Sequence, residues 1–427
     1  MARETSTKND VGTPGHEPSQ GCPYHATLPV HPLLATALAG GPVVFEPRMK
    51  IWLITRYQDV SEALKDHQRF SIVGALDGSM PIDPEIFEML RPVLPICRTS
   101  LLSIDPPQHT RLRTLINQAF TPRRVAQLEP LVRQLVNQMV DQVIDQGQVD
   151  LVPLAEQIPM HVICTFLGIP EADREQVKQW AFGWMKLMSQ VLPLEEQRQC
   201  ATSLLSHLAY IDGLIARLRQ NPQDDFISHL IRASTDGRLP MSGEEITDTV
   251  NLLAVAGHET TAHMIASCVY RLLADPARWQ AIRENRTLIE PFVEEVLRSD
   301  SVSMGGLRIT REDVTLHGVT IPQGALVLLM GSAGNMDPAV FAEPERFDPQ
   351  RPNLARHLGF GYGTHYCLGA PLARLELRVV VDVLAERLPS LRLLPNQEIA
   401  YMPNLFVRGL SKLLVVWDER PMTRLLV

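Results

Sequence analysis

The sequence has no basic block and no basic stripe: 40 Lys and Arg stand against 48 Asp and Glu, for a net charge of −8. That balance argues against nucleic acid as a partner. The first twenty residues are polar, with Gly, Pro, Ser and Thr and no apolar core, which argues against a secretory signal. No uninterrupted apolar run reaches the roughly eighteen residues that a membrane-spanning helix needs. The six cysteines, Cys22, Cys97, Cys164, Cys200, Cys268 and Cys367, are scattered without a C-x-x-C pair. They form neither a disulfide framework nor a zinc ribbon, and no cluster for an iron–sulfur centre is present. There is no flavin signature, no internal repeat and no low-complexity linker after the N-terminal tail. A soluble, cytoplasmic protein without its own electron carrier is expected.

What is present is a long chain rich in helical periodicity. With 427 residues and 45% apolar content, a large core is possible. Val125, Leu128, Leu131, Leu135, Met139 and Val143 recur at spacings of three and four, and Gly147 closes that run. Similar helices are expected over Pro153 to Leu167, Asp173 to Gln190 and Thr202 to Arg219. Val43 to Phe45 and Ile51 to Thr55 predict a hairpin. Short strands are expected between Leu307 and Leu329, with turns at His317-Gly318 and Gln323-Gly324, and a last strand over Leu413 to Trp417. The fold class is mainly α with minor β.

One predicted helix is longer than the rest. Ser242-Gly243-Glu244-Glu245 reads as a capping box, and the pattern runs to about Ala274, stopped by Asp275-Pro276. Its length is on the order of 50 Å, enough to cross a domain. Its middle reads LAVAGHETTAH, with Gly257 and two threonines that lower helix propensity. His258 to His263 is similar to a zinc-protease motif. Its histidines are five apart, however, and so point roughly 140° apart on a straight helix, where they cannot share one metal.

A second stretch, Phe360 to Glu376, reads FGYGTHYCLGAPLARLE. Cys367 stands at a helix entrance, where oriented N–H groups from Leu368, Gly369 and Ala370 stabilise a thiolate. Pro371 suits the first turn. Gly361 and Gly363 permit tight turning and close approach to a flat ligand. Such a loop can hold a haem iron by one thiolate, or be a packed cysteine in a glycine-rich turn.

The stretch matches F-x-x-G-x-[HR]-x-C-x-G at Phe360, Gly363, His365, Cys367 and Gly369, and so resembles the haem-binding signature of the cytochrome P450 family. Further segments resemble the same family in its usual order. Glu295-Val296-Leu297-Arg298 is similar to its E-x-x-R motif, and Pro344-Glu345-Arg346-Phe347 to its second arginine segment. Ala256 to Thr261 is similar to its oxygen-pocket motif, and Asp105 to Arg113 to its propionate-binding segment. The resemblance runs from about Tyr24 onward.

This resemblance implies a cytochrome P450 fold, with a polar tail over 1–23 and one haem domain over 24–427. It implies haem b on Cys367, propionates on His109, Arg113, Arg308 and His365, and contacts from Phe360, Gly361, Gly369 and Ala256. It implies room over the iron at Gly257, with Glu259 and Thr260 delivering protons. Glu295, Arg298 and Arg346 are expected to form a buried charge network. Peroxide-using members commonly carry Arg-Pro where Glu259-Thr260 stand, so a monooxygenase using dioxygen is expected. A peroxygenase and a non-oxygenating haem-thiolate enzyme are the alternatives. Electrons are expected from NAD(P)H through ferredoxin and ferredoxin reductase, or through a fused reductase domain missing from this chain. Arg111, Arg123, Arg124 and Arg378 are candidates for docking that partner. Substrate walls are expected before Asp105, over Phe182 to Leu194, near Leu253, over Ser303 to Leu307 and over Met402 to Phe406. They suggest an apolar small-molecule pocket.

Overall fold

The computed structural model describes residues 32–77, 81–235, 240–402, 404 and 406–418. The expected tail over 1–23 lies outside them, as do Cys22 and two positions of the 402–406 wall. Helix dominates and strand is minor. Among the described residues no helix is long and apolar enough to cross a membrane.

The expected hairpin forms from Val43–Glu46 and Ile51–Ile54, with Val43 opposite Ile54. It extends into a five-stranded sheet through Leu326–Leu329, Gly306–Thr310 and Phe70–Ser71, in that order. Ile51–Ile54 runs parallel to Leu326–Leu329, and the other pairings are antiparallel. Gly318 and Gly324 adopt positive φ at the expected turns, a region that glycine enters without steric penalty. Gly305 is held by close backbone approach: a Cβ there would lie 2.0 Å from the Leu329 carbonyl oxygen. A three-stranded sheet joins Gln148–Asp150, Leu414–Val416 and Arg392–Leu393.

The helices Glu129–Val143, Gln157–Leu167, Arg174–Ser189 and Leu194–Gln220 account for the periodic segments. The Pro153 to Leu167 pattern is two helices, Leu151–Ala155 and Gln157–Leu167. The long central helix is also two, Gly243–Ala256 and Glu259–Leu273, which meet at Gly257 and His258. The capping box at Ser242 and Glu245 is formed. Gly257 N–H still bonds to the Leu253 carbonyl and Ala262 N–H to that of His258, bracketing the interruption. The Thr260 hydroxyl donates to the Ala256 carbonyl at 3.2 Å. A threonine bonding back four residues competes with the ladder and bends a helix. Helix Glu259–Leu273 packs against helix Ala370–Arg387, and so lies beside the helix that follows Cys367.

Candidate active site

Cys367 closes its loop by donating its N–H to the Phe360 carbonyl at 2.9 Å. Gly361 and Gly363 have φ of 70° and 72°, so any other residue would be strained there. At Gly363 a Cβ would also approach the Leu64 carbonyl to 2.9 Å. The helix Ala370–Arg387 begins directly behind, with Gly369 as N-cap and Pro371 in its first turn. Burial raises the Cys367 thiol pKa, while the N–H groups of Gly369 and Ala370 and the Arg113 and Arg374 cations pull it down. The residue is nevertheless exposed. A desolvated thiol that keeps accessible surface is open to a ligand.

A polar clamp holds this loop from behind. Arg374 donates to both carboxylate oxygens of Glu294 at 2.6 and 2.9 Å, and to the Tyr366 hydroxyl at 3.1 Å. His357 reaches Glu294 at 3.0 Å and accepts the Gly359 N–H at 3.1 Å. Burial would raise the Glu294 pKa, but these hydrogen bonds outweigh it and hold the carboxyl down at about 2. Glu294 and His357 carry no pattern that sequence reasoning could separate from an ordinary helix-surface acid and a loop histidine.

Next to the loop, four expected donors converge. The His109 and His365 rings lie 4.1 Å apart. Both nitrogens of His109 and Nε2 of His365 are buried without a hydrogen-bond partner. Burial, then neighbouring cations, depress their pKa to about 4 and about 3. Arg308 is 3% exposed and donates to its neighbour's carbonyl, Leu307, at 2.7 Å. Burial pushes its pKa down to about 10. Arg113 bonds to Asn117 at 3.1 Å and acts electrostatically on Cys367. Buried donors are almost always paired. Orphaned histidine nitrogens beside the buried Arg308 and the half-buried Arg113 therefore fit an anionic group, and with the thiol alongside they fit haem with its propionates.

The opposite wall is the broken central helix. Ala256 is exposed although Ala254 and Val255 before it and His258 and Glu259 after it are buried. It too is left open to a ligand. Gly257 does not supply that opening. Its missing Cβ would meet the Leu253 carbonyl at 2.7 Å and Ile163 at 2.9 Å, so its smallness admits the helix Gln157–Leu167. Leu253 is buried, and the partly exposed residue on the side of Ala256 is Leu252. Glu259 is buried, with Oε1 at 3.7 Å from His263 Nε2 and Oε2 unpartnered. His258 turns its Nδ1 to the Ala254 and Val255 carbonyls. The two histidines do not meet, and among the described residues no group of three metal-binding side chains forms.

The buried charge network exists with a different third member. Arg298 donates to both oxygens of Glu295 at 2.7 Å, with both side chains fully buried. Arg351 completes the network, reaching Glu295 at 3.1 Å. The Arg346 side chain is exposed and pairs with Glu343 and Asp348, and only its carbonyl enters the network. The local geometry of Pro344 to Phe347 turns that guanidinium outward, and Arg351, five residues on, was not singled out by any motif. Arg111 and Arg124 are likewise engaged internally, with Glu245 and Asp224. Among the described residues, no carboxylate pairs with Arg123 or Arg378.

Comparison with known proteins agrees with this geometry. The cytochrome P450 family model matches residues 48–388. The chain therefore belongs to the cytochrome P450 family, whose members are haem-thiolate oxidoreductases with monooxygenase chemistry. It is 40% identical over 372 residues to the mycinamicin IV hydroxylase/epoxidase of Micromonospora griseorubida, covering 86% of this chain and 89% of that one. It is 36% identical over 400 residues to the vitamin D(3) 25-hydroxylase of Pseudonocardia autotrophica, covering 91% and 94%. The solved structure of cytochrome P450 CREJ in complex with (4-ethylphenyl) dihydrogen phosphate superposes with a TM-score of 0.87 at 32% identity, covering 93% and 98%.

Proposed function

We propose that residues 24–427 form one cytoplasmic haem domain that inserts one oxygen atom from O2 into an apolar small molecule by hydroxylation, dealkylation or epoxidation. The observation that carries this reading is the accessible Cys367 thiol beside the orphaned donors of His109 and His365. In this reading haem b is held through the Cys367 thiolate. Its propionates are taken by His109, Arg113, Arg308 and His365, and Phe360, Gly361, Gly369 and Ala256 lie against it. Bound haem supplies dioxygen activation, with one oxygen atom transferred to substrate and the other leaving as water at the expense of two electrons and two protons.

The chain's own residues manage protons and solvent. The Glu259 carboxyl has an unpartnered oxygen in a buried setting, suited to hold and pass a proton. The Thr260 hydroxyl donates to Ala256, which leaves its oxygen lone pairs free to accept from a water. Gly257 lets the helix break at this level by close packing on Ile163. This acid–alcohol pair favours dioxygen over peroxide as oxidant. Electrons come from NAD(P)H through a ferredoxin and its reductase or through a fused reductase domain. The uncommitted Arg123 and Arg378 would meet an acidic partner. The names of the hydroxylase relatives support oxygen insertion into an organic small molecule.

The test is the reduced, carbon-monoxide-bound difference spectrum of wild type beside Cys367→Ser. A long-wavelength Soret band that vanishes in the variant is expected. Well-folded, haem-supplemented protein without haem absorption would overturn the proposal. Incorporation of labelled dioxygen into product separates the monooxygenase from a non-oxygenating enzyme.

A further inference from the structure

The helix Gly243–Ala256 carries a carboxyl group that the oxygen chemistry does not use. Asp248 is 3% exposed. Its carboxyl is hydrogen-bonded by Ser100 and faces the Cys97 thiol, and among the described residues no cationic side chain pairs with it. A buried carboxylate without a cation is unfavourable, and burial pushes the Asp248 pKa up to about 8. Other charged groups around it are committed. Glu245 pairs with Arg111, Arg98 with Asp77, and Asp212 accepts the Thr247 hydroxyl. Burial pushes the Cys97 thiol to about 12 and His207 down to about 4, so both are neutral at pH 7.

Its place on the helix connects it to the candidate site. Glu245, Asp248, Leu252 and Ala256 lie on one stripe, at spacings of three and four. Ala256 is exposed and Leu252 and Glu245 are partly exposed, so the nearly buried Asp248 is flanked along its stripe by more open positions. The helix Leu94–Cys97 packs on the same helix and leads into Ser100. Thr99, Ser103, Ile104, Gln108 and Glu245 border a cleft of about 630 Å³. Asp248 thus sits between that cleft and Ala256, about 12 Å from Ala256 along the helix axis.

We propose that Asp248 is a specificity residue that takes a basic nitrogen of the substrate, so that preferred substrates are apolar molecules with an amine roughly two helical turns from the carbon oxidised. This rests on the haem-thiolate reading above. When an ammonium group binds at pH 7, the neutral carboxyl gives its proton to solvent and the resulting carboxylate pairs with the cation. About one proton is released per amine bound, fading as the pH rises past about 8.

The holoenzyme is titrated at pH 7 with N,N-dimethyldecylamine and with its neutral analogue methyl decyl ether, reading the low-to-high-spin Soret shift. Proton release is read by calorimetry in two buffers of different ionisation enthalpy. Wild type is expected to prefer the amine roughly ten- to hundredfold, with proton release. Asp248→Asn should bind both probes equally and release no proton, and Asp248→Glu should restore part of the preference. Equal binding by wild type, absence of proton release, or a spectral shift showing nitrogen bound to iron overturns the proposal without any variant. So does an Asp248→Asn protein that keeps both the preference and the proton release. The carbon-monoxide band separates this failure from failure of the parent reading, because an intact thiolate band with no amine preference sinks only the role of Asp248.

Discussion

Two buried polar clusters flank the candidate haem site, and they differ in one respect. Around Glu295 the charged groups are answered: Arg298 and Arg351 meet the carboxylate, and Arg298 also donates to the Asn335 carbonyl at 2.8 Å. Around His109 they are not, and three imidazole nitrogens of His109 and His365 have no partner. Glu295 and Arg298 in one place and His109 and Arg308 in the other are all buried, so satisfaction is what separates them. A closed network belongs to the fold itself. An open one is destabilising as it stands and is repaired only by something that brings acceptors. The contrast turns the two clusters into different experiments.

The largest expected effect is at the closed cluster. Arg298→Ala removes the bidentate partner of a fully buried Glu295 and leaves it Arg351 alone as a cation, which costs about 3–5 kcal/mol. That is a large share of the roughly 5–15 kcal/mol that holds a domain together. Denaturant unfolding should show a collapse in stability whether or not haem is supplied. A variant that unfolds with the wild-type midpoint would mean that the network is ornamental.

Next come Glu259→Gln and Thr260→Ala. Each should lower product formed per electron pair by roughly a hundredfold, with the spectral midpoint for substrate binding unchanged. A shift in that midpoint with turnover intact would make them pocket walls and not proton groups.

At the open cluster the sign reverses. His109→Leu removes two unpaired buried nitrogens, so the apoprotein should be no less stable and gain about 1–2 kcal/mol. Haem retention should fall, read as faster transfer of haem to a scavenger protein. An apoprotein destabilised by His109→Leu would show that the cluster is closed by interactions of the chain, and the comparison would break.

How much of this was legible in the sequence follows the same divide. Short-range chemistry was readable. The turns at Gly318 and Gly324, the capping box at Ser242 and the Cys367 loop are each fixed by a few neighbouring residues. Tertiary partners were not. Arg346 stood in the motif, but the chain direction after Phe347 hands its role to Arg351. Gly257 signalled a missing side chain, but only the packed helix carrying Ile163 tells which neighbour needs the space. The break between Ala256 and Glu259 was foreshadowed by Gly257 and the threonines, yet periodicity ran straight through it. Glu294 and His357 have no local signature, because what defines them is Arg374, eighty residues from Glu294.

A third unsatisfied group sharpens the rule that open polar clusters await a ligand. His207 is fully buried on helix Leu194–Gln220, and neither ring nitrogen meets the hydrogen-bond geometry. Asn251, on the facing helix, leaves its own oxygen unpaired, and Trp180 lies 6.0 Å away. Among the described residues no cation pairs with it and no accessible thiol accompanies it, so nothing described there resembles the propionate cradle. Burial holds its pKa at about 4, below the ordinary value of 6.5. The unfolded chain therefore binds the extra proton between these values, and stability must fall as pH drops through 6.5 toward 4. The slope is about 1.4 kcal/mol per pH unit from this group and vanishes above pH 7. His207→Leu should lower the acid slope by that share in apoprotein and holoprotein alike, with His109 and His365 still contributing in apoprotein, read from denaturation midpoints at pH 7 and pH 5. If His207→Leu changed the slope in apoprotein but not in holoprotein, His207 would belong to the cofactor site after all. If the slope survived His207→Leu unchanged, the acid sensitivity would lie with other buried groups, and the orphaned ring would carry no energetic weight.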